Sequence, residues 1–516
     1  MTADALVVGS GAAGGWAAKT LAERGIEVLV LEAGPLVAGD LRVDRAAHDG
    51  SRQPVQSRCS AYEPANSHLF VDDLDNPYRT PDGLPYHWFR SRQLGGRLPL
   101  WAGVCLRMSD REFGGAATEV AGRDRCAWPI RHHTLDPYYS RVEAFLEVTG
   151  GGEHTPAAPP PTAGRRQPMT RGEARLAAAV EARWPERQLV TSRVARAEAG
   201  AVLSAAQRTG RVRLRPDAVV SHLELDATGA RATGVVFVDR RTGATHRERA
   251  GAVVLCASAI ETVRILLNTR TRHHPEGLGG ESGRLGRYFL DHLAGAAVSG
   301  TVPGLDAAPR PRTGPGFVPV CHIPDFAAGA DRGFPGGYGI TVFAPETLPL
   351  NSGSARWASA SGGVPFRMWA SGEVLPRADN RITLADTTDA WGIPQAHVRL
   401  AHHAPERAMF AHQTAAMTEM AEAAGFHLTE VADAPLAPGS SVHEMGGAAM
   451  GDDPDTSVVG PDNRLWRVPN VLVADAACFP TAGWQNPTLT TMALAARACD
   501  LLADRARGGE LEREAA

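Results

Sequence analysis

The chain has 516 residues, of which 43% are hydrophobic and 21% are charged, so it is long enough to form two or more globular cores. Its formal net charge of -4 provides no electrostatic basis for binding nucleic acid or another polyanion. The chain contains one lysine, Lys19, which excludes Schiff-base chemistry on a lysine at any other position. These properties favour an enzyme that acts on small molecules.

The cysteines and the apolar runs exclude further classes of protein. No two of the seven cysteines form a CxxC pair, which argues against a zinc ribbon or a thiol redox motif, and we predict no metal site. No apolar run is long enough to span a membrane, and the N-terminus leads into a strand without the charged region and cleavage site of a signal peptide. We therefore expect a cytoplasmic protein with no nucleic-acid or membrane partner.

The first predicted unit is a strand, a helix and a second strand. The apolar run ALVVG predicts the first strand, residues 12–24 predict the helix, and residues 28–31 predict the second strand. The intervening VVGSGAAGG places Gly9, Gly11 and Gly14 in the G-x-G-x-x-G spacing. Such a loop lets backbone amides approach a pyrophosphate, and the helix N-terminus adds partial positive charge. The sequence therefore predicts a dinucleotide-binding site.

An acidic residue completes this motif at the end of the second strand. Glu32 lies 23 residues after Gly9, where a carboxylate suits a ribose diol and repels a 2′-phosphate, so NADP is disfavoured and NAD and FAD remain open. Lys19 imitates the lysine of a P-loop, but Ala18 before it breaks that motif, and we interpret Lys19 as a solvated helix residue. Further candidate cofactor contacts in this unit are Ser10, Ala12, Ala13 and Ala33.

Two groups of elements follow along the chain. Short Val- and Leu-rich runs between residues 212 and 268 predict further strands and a helix, which extend the sheet-based nucleotide domain. Residues 364–400 predict strands, and residues 405–424 predict a helix with Pro405 at its start and Gly425 past its end. The second group indicates a separate α+β domain.

The C-terminal region contains the residues with the clearest chemical potential. SVHEMGGAAMG places His443 before a loop of small residues, as a metal ligand, a buried structural imidazole or a catalytic base. A metal is disfavoured because the second histidine of H-E-x-x-H is missing. A histidine titrates near neutral pH and suits proton abstraction, while a structural imidazole remains the alternative. Forty-three residues later, Asn486 precedes Pro487 at the predicted N-cap of a helix.

Several longer segments occur in a specific order and spacing. They are VVGSGAAGG, RSRQLGGRLPLWAGVCLRMSDREF, WPIRHHTLDPYYSRVE, ASAIETVRILL, GRYFLDHL, SVHEMGGAAMG and VPNVLVADAACFPTAGWQNPTLTTMALAARACDLL. Together they resemble the glucose-methanol-choline (GMC) family of FAD-dependent alcohol oxidoreductases. The resemblance covers most of the chain and implies that the dinucleotide is FAD.

The resemblance also implies roles for individual residues. His443 corresponds to the active-site histidine of the family and Asn486 to its partner, while Asp475 lies near the phosphates and ribityl chain of the cofactor. The paired Gly95 and Gly96 pass close to the flavin. Further predicted cofactor contacts, besides Asn486 itself, are Val219, Val220, Ala257, Ala476, Pro487 and Thr488.

Two further positions carry expectations. In pyranose oxidases the segment after the paired glycines reads STHW, and its histidine is covalently attached to FAD. The matching LPLW here has Leu100 at that position, which predicts non-covalent FAD. The resemblance places Asp291 and His292 at the border of the FAD domain, where we expect His292 to have a structural role.

The resemblance implies an α/β fold in which a Rossmann-like FAD-binding domain of the GMC type is joined to an α+β substrate domain built on an antiparallel sheet. We expect a discontinuous FAD-binding domain of residues 1–95, 201–296 and 437–516. Residues 96–200 would cover the flavin and connect the domains, and residues 297–436 would bind the substrate.

The expected reaction is oxidation of a CH–OH group in a sugar, a glycoside, or a glycosylated or aminocyclitol natural product. His443 would abstract the hydroxyl proton, and the hydride would pass to flavin N5, with oxygen or another electron acceptor as the second substrate. The alternatives are a GMC enzyme that acts on a non-sugar alcohol, a catalytically silent flavin-binding subunit, and an NAD-dependent dehydrogenase.

Overall fold

The structure of the protein is a computed structural model that describes residues 3–36, 69–71, 73, 76–114, 126–151, 168–198, 200–305, 308–310, 320–326, 332–345, 347–349 and 363–507. Its α-helices are α1 (Ala12–Glu23), α2 (Asp110–Gly114), α3 (His132–Phe145), α4 (Arg171–Arg183), α5 (Ala201–Arg208), α6 (Ala259–Asn268), α7 (Ala404–Ala423) and α8 (Thr488–Arg507). Short 3-10 helices cover Leu98–Leu100 and Ala476–Cys478.

The strands alternate with these helices along the chain. They are β1 (Ala5–Val8), β2 (Val28–Leu31), β3 (Val190–Thr191), β4 (Val212–Arg215), β5 (Ala218–Leu225), β6 (Ala232–Asp239), β7 (Thr245–Arg249), β8 (Ala252–Leu255), β9 (Phe289–Leu290), β10 (His292–Leu293), β11 (Ala297–Val302), β12 (Ala308–Arg310), β13 (Cys321–Phe326), β14 (Tyr338–Phe343), β15 (Thr347–Pro349), β16 (Val364–Glu373), β17 (Arg381–Thr388), β18 (Pro394–Arg399), β19 (His427–Val431), β20 (Met445–Gly446) and β21 (Val471–Val473).

A five-stranded parallel sheet forms the first layer of the fold, with the strand order β21-β8-β1-β2-β4. β1, β2 and β8 have the sequences ALVV, VLVL and AVVL, and every residue in them is buried. Continuous apolar runs of this kind are typical of parallel strands that are covered on both faces. Helix α1 packs against the sheet and α8, which completes the predicted Rossmann-like layer.

A larger antiparallel sheet forms the second part of the fold. Its strand order is β19-β11-β16-β14-β13-β3, and β10 pairs with the C-terminal end of β16. Helix α7 packs on this sheet through Met409, Met417 and Met420, which are buried. The predicted helix over residues 405–424 is thus confirmed as α7, and it ends before Gly425, whose positive φ of 68° ends the helix.

One expectation about the first helix is wrong. Lys19 is not solvated, because only 8% of its surface is exposed. Its Nζ atom lies 2.6 Å from Glu23 Oε1 and 5.2 Å from the centre of the Trp16 ring. A lysine can bury its aliphatic stem when its ammonium group keeps such partners, and the sequence pattern of α1 does not reveal which face the neighbouring helices cover.

The described residues also bear on membrane association. Across these ranges, no helix is long and apolar enough to cross a membrane.

Candidate active site

The carboxyl ends of the parallel strands bring four predicted cofactor residues to one edge of the sheet. Gly9 follows β1, Glu32 follows β2, Ala257 follows β8, and Asp475 follows β21. In open α/β sheets the crevice at this edge is where dinucleotides bind. Residues that are hundreds of positions apart in the chain therefore meet where the motif predicted a cofactor.

The glycine loop is packed so closely that only glycine fits at two of its positions. Gly9 has a φ of 99°, and a Cβ atom there would lie 2.4 Å from the Cys256 carbonyl oxygen. A Cβ atom on Gly14 would lie 1.9 Å from the Gly9 carbonyl oxygen. At Gly11 the nearest protein atoms would be 3.9 Å away, so this position has room. Its freedom from side-chain bulk suits a close approach to a ligand.

The N-terminus of α1 offers donors to an anion at this loop. Gly11 occupies the N-cap position and supplies no side-chain acceptor, and the first turn contains no acidic residue. The first backbone N–H groups of a helix have no partner within the helix, and together with the helix dipole they attract negative charge. Among the predicted contacts, Ala12 and Ala13 lie in this first turn and Gly14 follows them. The arrangement fits a pyrophosphate.

Glu32 is held in place by the same loop. Its Oε2 atom accepts a hydrogen bond of 3.0 Å from the Ser10 backbone N–H, and its Oε1 atom accepts one of 2.8 Å from Gly34. The Ser10 hydroxyl also donates to Oε2 and accepts from the Gly95 N–H at 3.0 Å. Burial raises the pKa of the Glu32 carboxyl. Ser10 and Gly95, predicted as cofactor contacts, thus also connect the loop to the segment expected near the flavin.

The remaining predicted contacts near Glu32 and the paired glycines lie close by. The Ala218 N–H donates to the Glu32 carbonyl at 2.8 Å, so β5, which carries Val219 and Val220, begins beside this acid. A Cβ atom on Gly96 would lie 3.2 Å from the Gly11 Cα atom. The paired-glycine segment therefore packs directly on the dinucleotide loop.

Asp475 is anchored by a threonine that sequence reasoning missed. Its Oδ2 atom accepts a 2.6 Å hydrogen bond from the Thr262 hydroxyl, and its Oδ1 atom accepts one of 3.0 Å from the Ala477 N–H. The Thr262 hydroxyl also accepts from the Ala257 N–H at 3.2 Å. Burial raises the pKa of Asp475 to about 6. Thr262 lies in the ASAIETVRILL segment, but only the fold reveals that it links Ala257 to Asp475.

The backbone brings a second histidine to His443. β9 and β20 pair in an antiparallel register, with Leu290 opposite Met445. Continuing this register two residues along each chain places His292 opposite His443. The Nδ1 atoms of the two imidazoles lie 2.9 Å apart. The expectation that His292 is only a structural residue is therefore incomplete, because it contacts the predicted base.

Asn486 contacts the other nitrogen of the same ring. Its Nδ2 atom lies 3.1 Å from His443 Nε2, across a separation of 43 residues. Helix α8 begins two residues later, at Thr488, and the Thr491 N–H donates to the Pro487 carbonyl at 2.8 Å. Asn486 thus lies one position before the N-cap that the sequence predicted for it, because Pro487 accepts the first helical hydrogen bond, and Asn486 also reaches His443.

These contacts define the protonation state of the His443 ring. An amide Nδ2 is a donor only, so His443 Nε2 must be its acceptor and must carry no proton. The proton then resides on Nδ1 and is donated to His292 Nδ1. Burial lowers the pKa of His443 well below its ordinary value, and nearby His292 and Arg97 lower it further. His443 is therefore a neutral imidazole with a basic Nε2 atom.

His292 is itself held neutral. Only 1% of its surface is exposed, and burial lowers its pKa to about 4 although the backbone of Ala482 and Gly483 favours the charged form. A neutral imidazole that accepts at Nδ1 carries its own proton on Nε2, and this atom is buried without a hydrogen-bond partner among the described residues. The contact between the two Nδ1 atoms thus links the tautomer of His443 to that of His292.

The loop that precedes His443 is held in an unusual backbone conformation. Val442 has a φ of 61°, which is rare for a β-branched residue. Asp291 holds this loop, since it accepts a 2.6 Å hydrogen bond from the Gly439 N–H and another from the Ser441 hydroxyl. Burial, and then the neighbouring Glu444, raise the pKa of Asp291 to about 7. Strain of this kind persists where the surrounding structure fixes a functional residue.

An ion pair joins the His443 loop to the paired-glycine segment. Arg97 Nη2 lies 2.6 Å from Glu444 Oε2, and the Glu444 side chain is completely buried. Arg97 Nη1 also donates to the Val442 carbonyl at 3.1 Å. Leu100, three residues further on, packs beside Val442 with Phe89. Sequence reasoning missed Arg97 and Glu444, although both flank residues that it had selected.

No alternative metal centre competes with this site in the described ranges. They contain no group of three or more histidine, cysteine, aspartate or glutamate side chains that could hold a metal ion.

A Rossmann-like sheet edge built to bind a dinucleotide, with a neutral histidine and an amide facing each other, defines a nucleotide-dependent oxidoreductase.

The C-terminal part of the chain matches the GMC oxidoreductase family. Residues 376–495 match the family described as GMC oxidoreductase, and residues 7–70 match the NAD(P)-binding Rossmann-like domain. The resemblance stated from the sequence motifs is thereby confirmed, and the family implies FAD as the dinucleotide. The protein is accordingly an alcohol oxidoreductase.

Two relatives match over nearly the whole chain. The chain is 26% identical to 2-methyl-1,2-propanediol dehydrogenase of Mycolicibacterium austroafricanum, across 97% of this chain and 95% of the relative. It is 28% identical to the fructose dehydrogenase large subunit of Gluconobacter japonicus, across 99% of both chains. The crystal structure of a pyridoxine 4-oxidase has the same fold, with a TM-score of 0.63 and 19% identity over 97% of this chain and 99% of that one.

Proposed function

We propose that the protein oxidises a CH–OH group of a sugar, a glycoside, or a glycosylated or aminocyclitol natural product, with FAD as the hydride acceptor. The observation that carries this proposal is the neutral His443, whose basic Nε2 atom faces the Asn486 amide at 3.1 Å. This pair has the donor and acceptor that an alcohol hydroxyl requires. The fructose-oxidising relative supports the sugar substrate, and the diol-oxidising relative supports the alternative of a non-sugar alcohol.

The residues present fit FAD. The uncapped N-terminus of α1 and the bare Gly11 would bind the pyrophosphate, and Glu32 would bind the ribose. Residues 95–96 and 475–476, with the start of α8 at Pro487 and Thr488, would hold the flavin half. When bound, FAD supplies a hydride acceptor at N5 of its ring.

We further propose that FAD is bound without a covalent link. Leu100 stands where the pyranose oxidases of the family have an attachment histidine, and its side chain has no nucleophile. Acid precipitation of the yellow protein should therefore leave the flavin in the supernatant. Colour that stays with the pellet would contradict this part of the proposal.

His443 and Asn486 would act on the substrate hydroxyl together. The hydroxyl oxygen would accept a hydrogen bond from Asn486 Nδ2, and the hydroxyl proton would move to His443 Nε2 as the hydride leaves the neighbouring carbon. His292 would keep the His443 ring in the tautomer that leaves Nε2 free. The role of Asn486 is to position the oxygen and to stabilise its developing negative charge.

The domain division and the cellular context stay part of the proposal. The parallel sheet draws its strands from residues 1–95, 201–296 and 437–516, which supports one discontinuous FAD-binding domain. The antiparallel sheet draws most of its strands from residues 297–436 and takes β3 from residues 96–200. We propose that the enzyme works in the cytoplasm and passes its electrons to oxygen or another acceptor.

The decisive experiment adds candidate alcohols in the absence of oxygen and follows the absorbance of oxidised flavin at about 450 nm. A sugar or glycoside should bleach the wild-type flavin. His443→Ala should keep bound FAD and reduce it about 100-fold to 10,000-fold more slowly, the usual contribution of a general base. Equal reduction rates in the two proteins would remove His443 from the mechanism. FAD that no alcohol reduces would favour the silent flavin-binding subunit.

A further inference from the structure

A pocket opens beside the segment that carries Asn486. Its cavity volume is about 10 Å³, and its wall includes Arg111, Glu112, Glu373, Gly483 and Trp484. We call these five residues the carboxylate pocket. A cavity of this size holds one group about as large as a water molecule, so the pocket suits a single small polar group of a larger molecule.

The carboxylate pocket adjoins the proposed catalytic pair. Glu373 of β16 lies directly opposite His292 of β10, and opposite residues on antiparallel strands project from the same face. His292 contacts His443, so Glu373 emerges on the side of the sheet where the base lies. The Gly483 N–H donates to Glu373 Oε1 at 3.4 Å. A substrate with its hydroxyl at His443 can therefore extend into the pocket.

Two buried carboxyl groups face this space. Glu112 is 9% exposed and Glu373 is 5% exposed. The Glu112 Oε2 atom accepts hydrogen bonds from the Ser109 N–H at 2.7 Å and the Ser109 hydroxyl at 2.6 Å. Burial raises the pKa of both carboxyls, to about 7 at Glu373, where the charge of Glu112 contributes and Arg111 opposes it. A cationic group between the two carboxyls would favour their ionised forms, which burial alone disfavours.

The pocket wall also offers a hydrogen-bond donor without a partner. The Nε1–H of Trp484 is buried and makes no hydrogen bond to any described residue, while 6% of the Trp484 surface is exposed. The opposite edge of its ring packs on Gly339, where a Cβ atom would lie 2.1 Å from Trp484 Cε3. A buried donor without an acceptor is destabilising, so an acceptor on a ligand would be favoured here.

We propose that the carboxylate pocket binds an ammonium group of the substrate between Glu112 and Glu373, while an oxygen of the same substrate accepts from Trp484 Nε1–H. This inference rests on the proposed function and narrows its substrate to an amino-substituted sugar or cyclitol. An ammonium group supplies three donors and a positive charge that offsets the burial of the two carboxylates. A hydroxyl group in its place would supply one donor and no charge.

The test compares each sugar with its amino counterpart on the FAD-loaded enzyme. Glucose is paired with 2-amino-, 3-amino- and 6-amino-deoxyglucose, and flavin reduction gives kcat/KM for each. The wild-type enzyme should prefer at least one amino sugar, and Glu373→Gln and Glu112→Gln should each lower the ratio of amino to parent sugar at least tenfold. Glu419→Gln removes an exposed carboxylate on α7 and should leave the ratio unchanged. A ratio that is equal in wild type and both pocket variants would overturn the inference.

A second probe separates this inference from the proposed function and from misfolding. Cyclohexylamine carries an ammonium group and no hydroxyl, so it can bind the pocket without being oxidised. Its binding should perturb the flavin absorbance of the wild-type protein and should weaken at least tenfold in Glu373→Gln, while both proteins keep the same FAD content. Trp484→Phe keeps the ring and removes the donor, and it should weaken binding of the amino sugars and leave cyclohexylamine binding unchanged. If no alcohol reduces the flavin, the proposed function fails, and cyclohexylamine still tests the pocket. Equal cyclohexylamine affinity in wild type and Glu373→Gln would contradict the pocket alone.

Discussion

At the scale of single residues, the chemistry depends on where one proton resides. His443 accepts at Nε2 from Asn486 and donates at Nδ1 to His292, so both ring nitrogens have defined roles. In hydrolase triads a carboxylate orients the histidine and stabilises its charged form. Here a neutral imidazole takes that place, and burial, followed by nearby His292 and Arg97, lowers the pKa of His443. The ring is therefore uncharged, as its proposed role as a proton acceptor requires.

The lowered pKa of His443 predicts the acid side of the pH profile. A histidine whose pKa lies below the ordinary value of about 6.5 is already deprotonated at pH 6.5, so the active form is lost only as the pH falls through the lowered pKa. We expect kcat/KM for flavin reduction to be level near pH 6.5 and to decline at lower pH. Anaerobic reduction rates between pH 4.5 and 8 measure this, and a midpoint at or above 6.5 would be inconsistent with the buried neutral ring.

Substitution of His292 tests whether it positions the base. In His292→Phe no acceptor remains for the Nδ1–H of His443, and the reduction rate should fall about tenfold or more, as when an orienting partner of a functional histidine is lost. The side-chain oxygen of His292→Gln can accept the same proton and should restore most of the rate. The pH midpoint should also move in His292→Phe. Equal losses in both variants, with unchanged pH midpoints, would indicate a packing role only.

At the scale of elements, substitutions at two glycines of the dinucleotide loop distinguish protein packing from ligand binding. Gly14→Ala would place a Cβ atom 1.9 Å from the Gly9 carbonyl, so the loop itself must distort. In Gly11→Ala the added Cβ atom would lie 3.9 Å from the nearest protein atoms, so it would clash with a bound pyrophosphate and not with the protein. We therefore expect Gly11→Ala to keep the stability of the FAD-free protein and to bind FAD at least tenfold more weakly. Flavin titration and thermal unfolding measure the two effects separately. Unchanged FAD affinity would show that the pyrophosphate does not approach Gly11.

Sequence patterns predicted the long elements and missed the short ones. ALVV, VLVL and AVVL are apolar runs with clear boundaries, so β1, β2 and β8 follow from the sequence. β9 and β20 are two residues each, which is too short for any periodicity. Their register is nevertheless what brings His292 to His443. Motifs therefore selected His443 and Asn486, and they also marked His292, but the contact of His292 with His443 was not predictable from them.

At the scale of the whole molecule, the site exists only because distant stretches of chain meet. Asp475 hydrogen bonds to Thr262 across 213 residues, and Arg97 pairs with Glu444 across 347 residues. Loop closures of this length have no local sequence signature, since they follow from packing of complete layers. The motifs therefore identified the first contacts of a cofactor, while Thr262, Arg97 and Glu444 emerged only from the fold.

Because FAD would contact several of these stretches at once, its binding should stabilise the whole fold. A ligand that binds only the folded state adds RT ln(1 + [L]/Kd), about 2.7 kcal/mol at a concentration of 100 Kd. We expect the melting temperature of the FAD-free protein to rise by a few degrees as FAD is added, and to keep rising with its concentration. His443→Ala should show the same increment, because His443 faces the substrate side and binds Asn486 and His292. Gly14→Ala should show none, because its distorted loop cannot cradle the pyrophosphate. If adding FAD left the melting temperature of the wild-type protein unchanged, this would contradict the proposal that a non-covalent FAD joins the three parts of the FAD-binding domain.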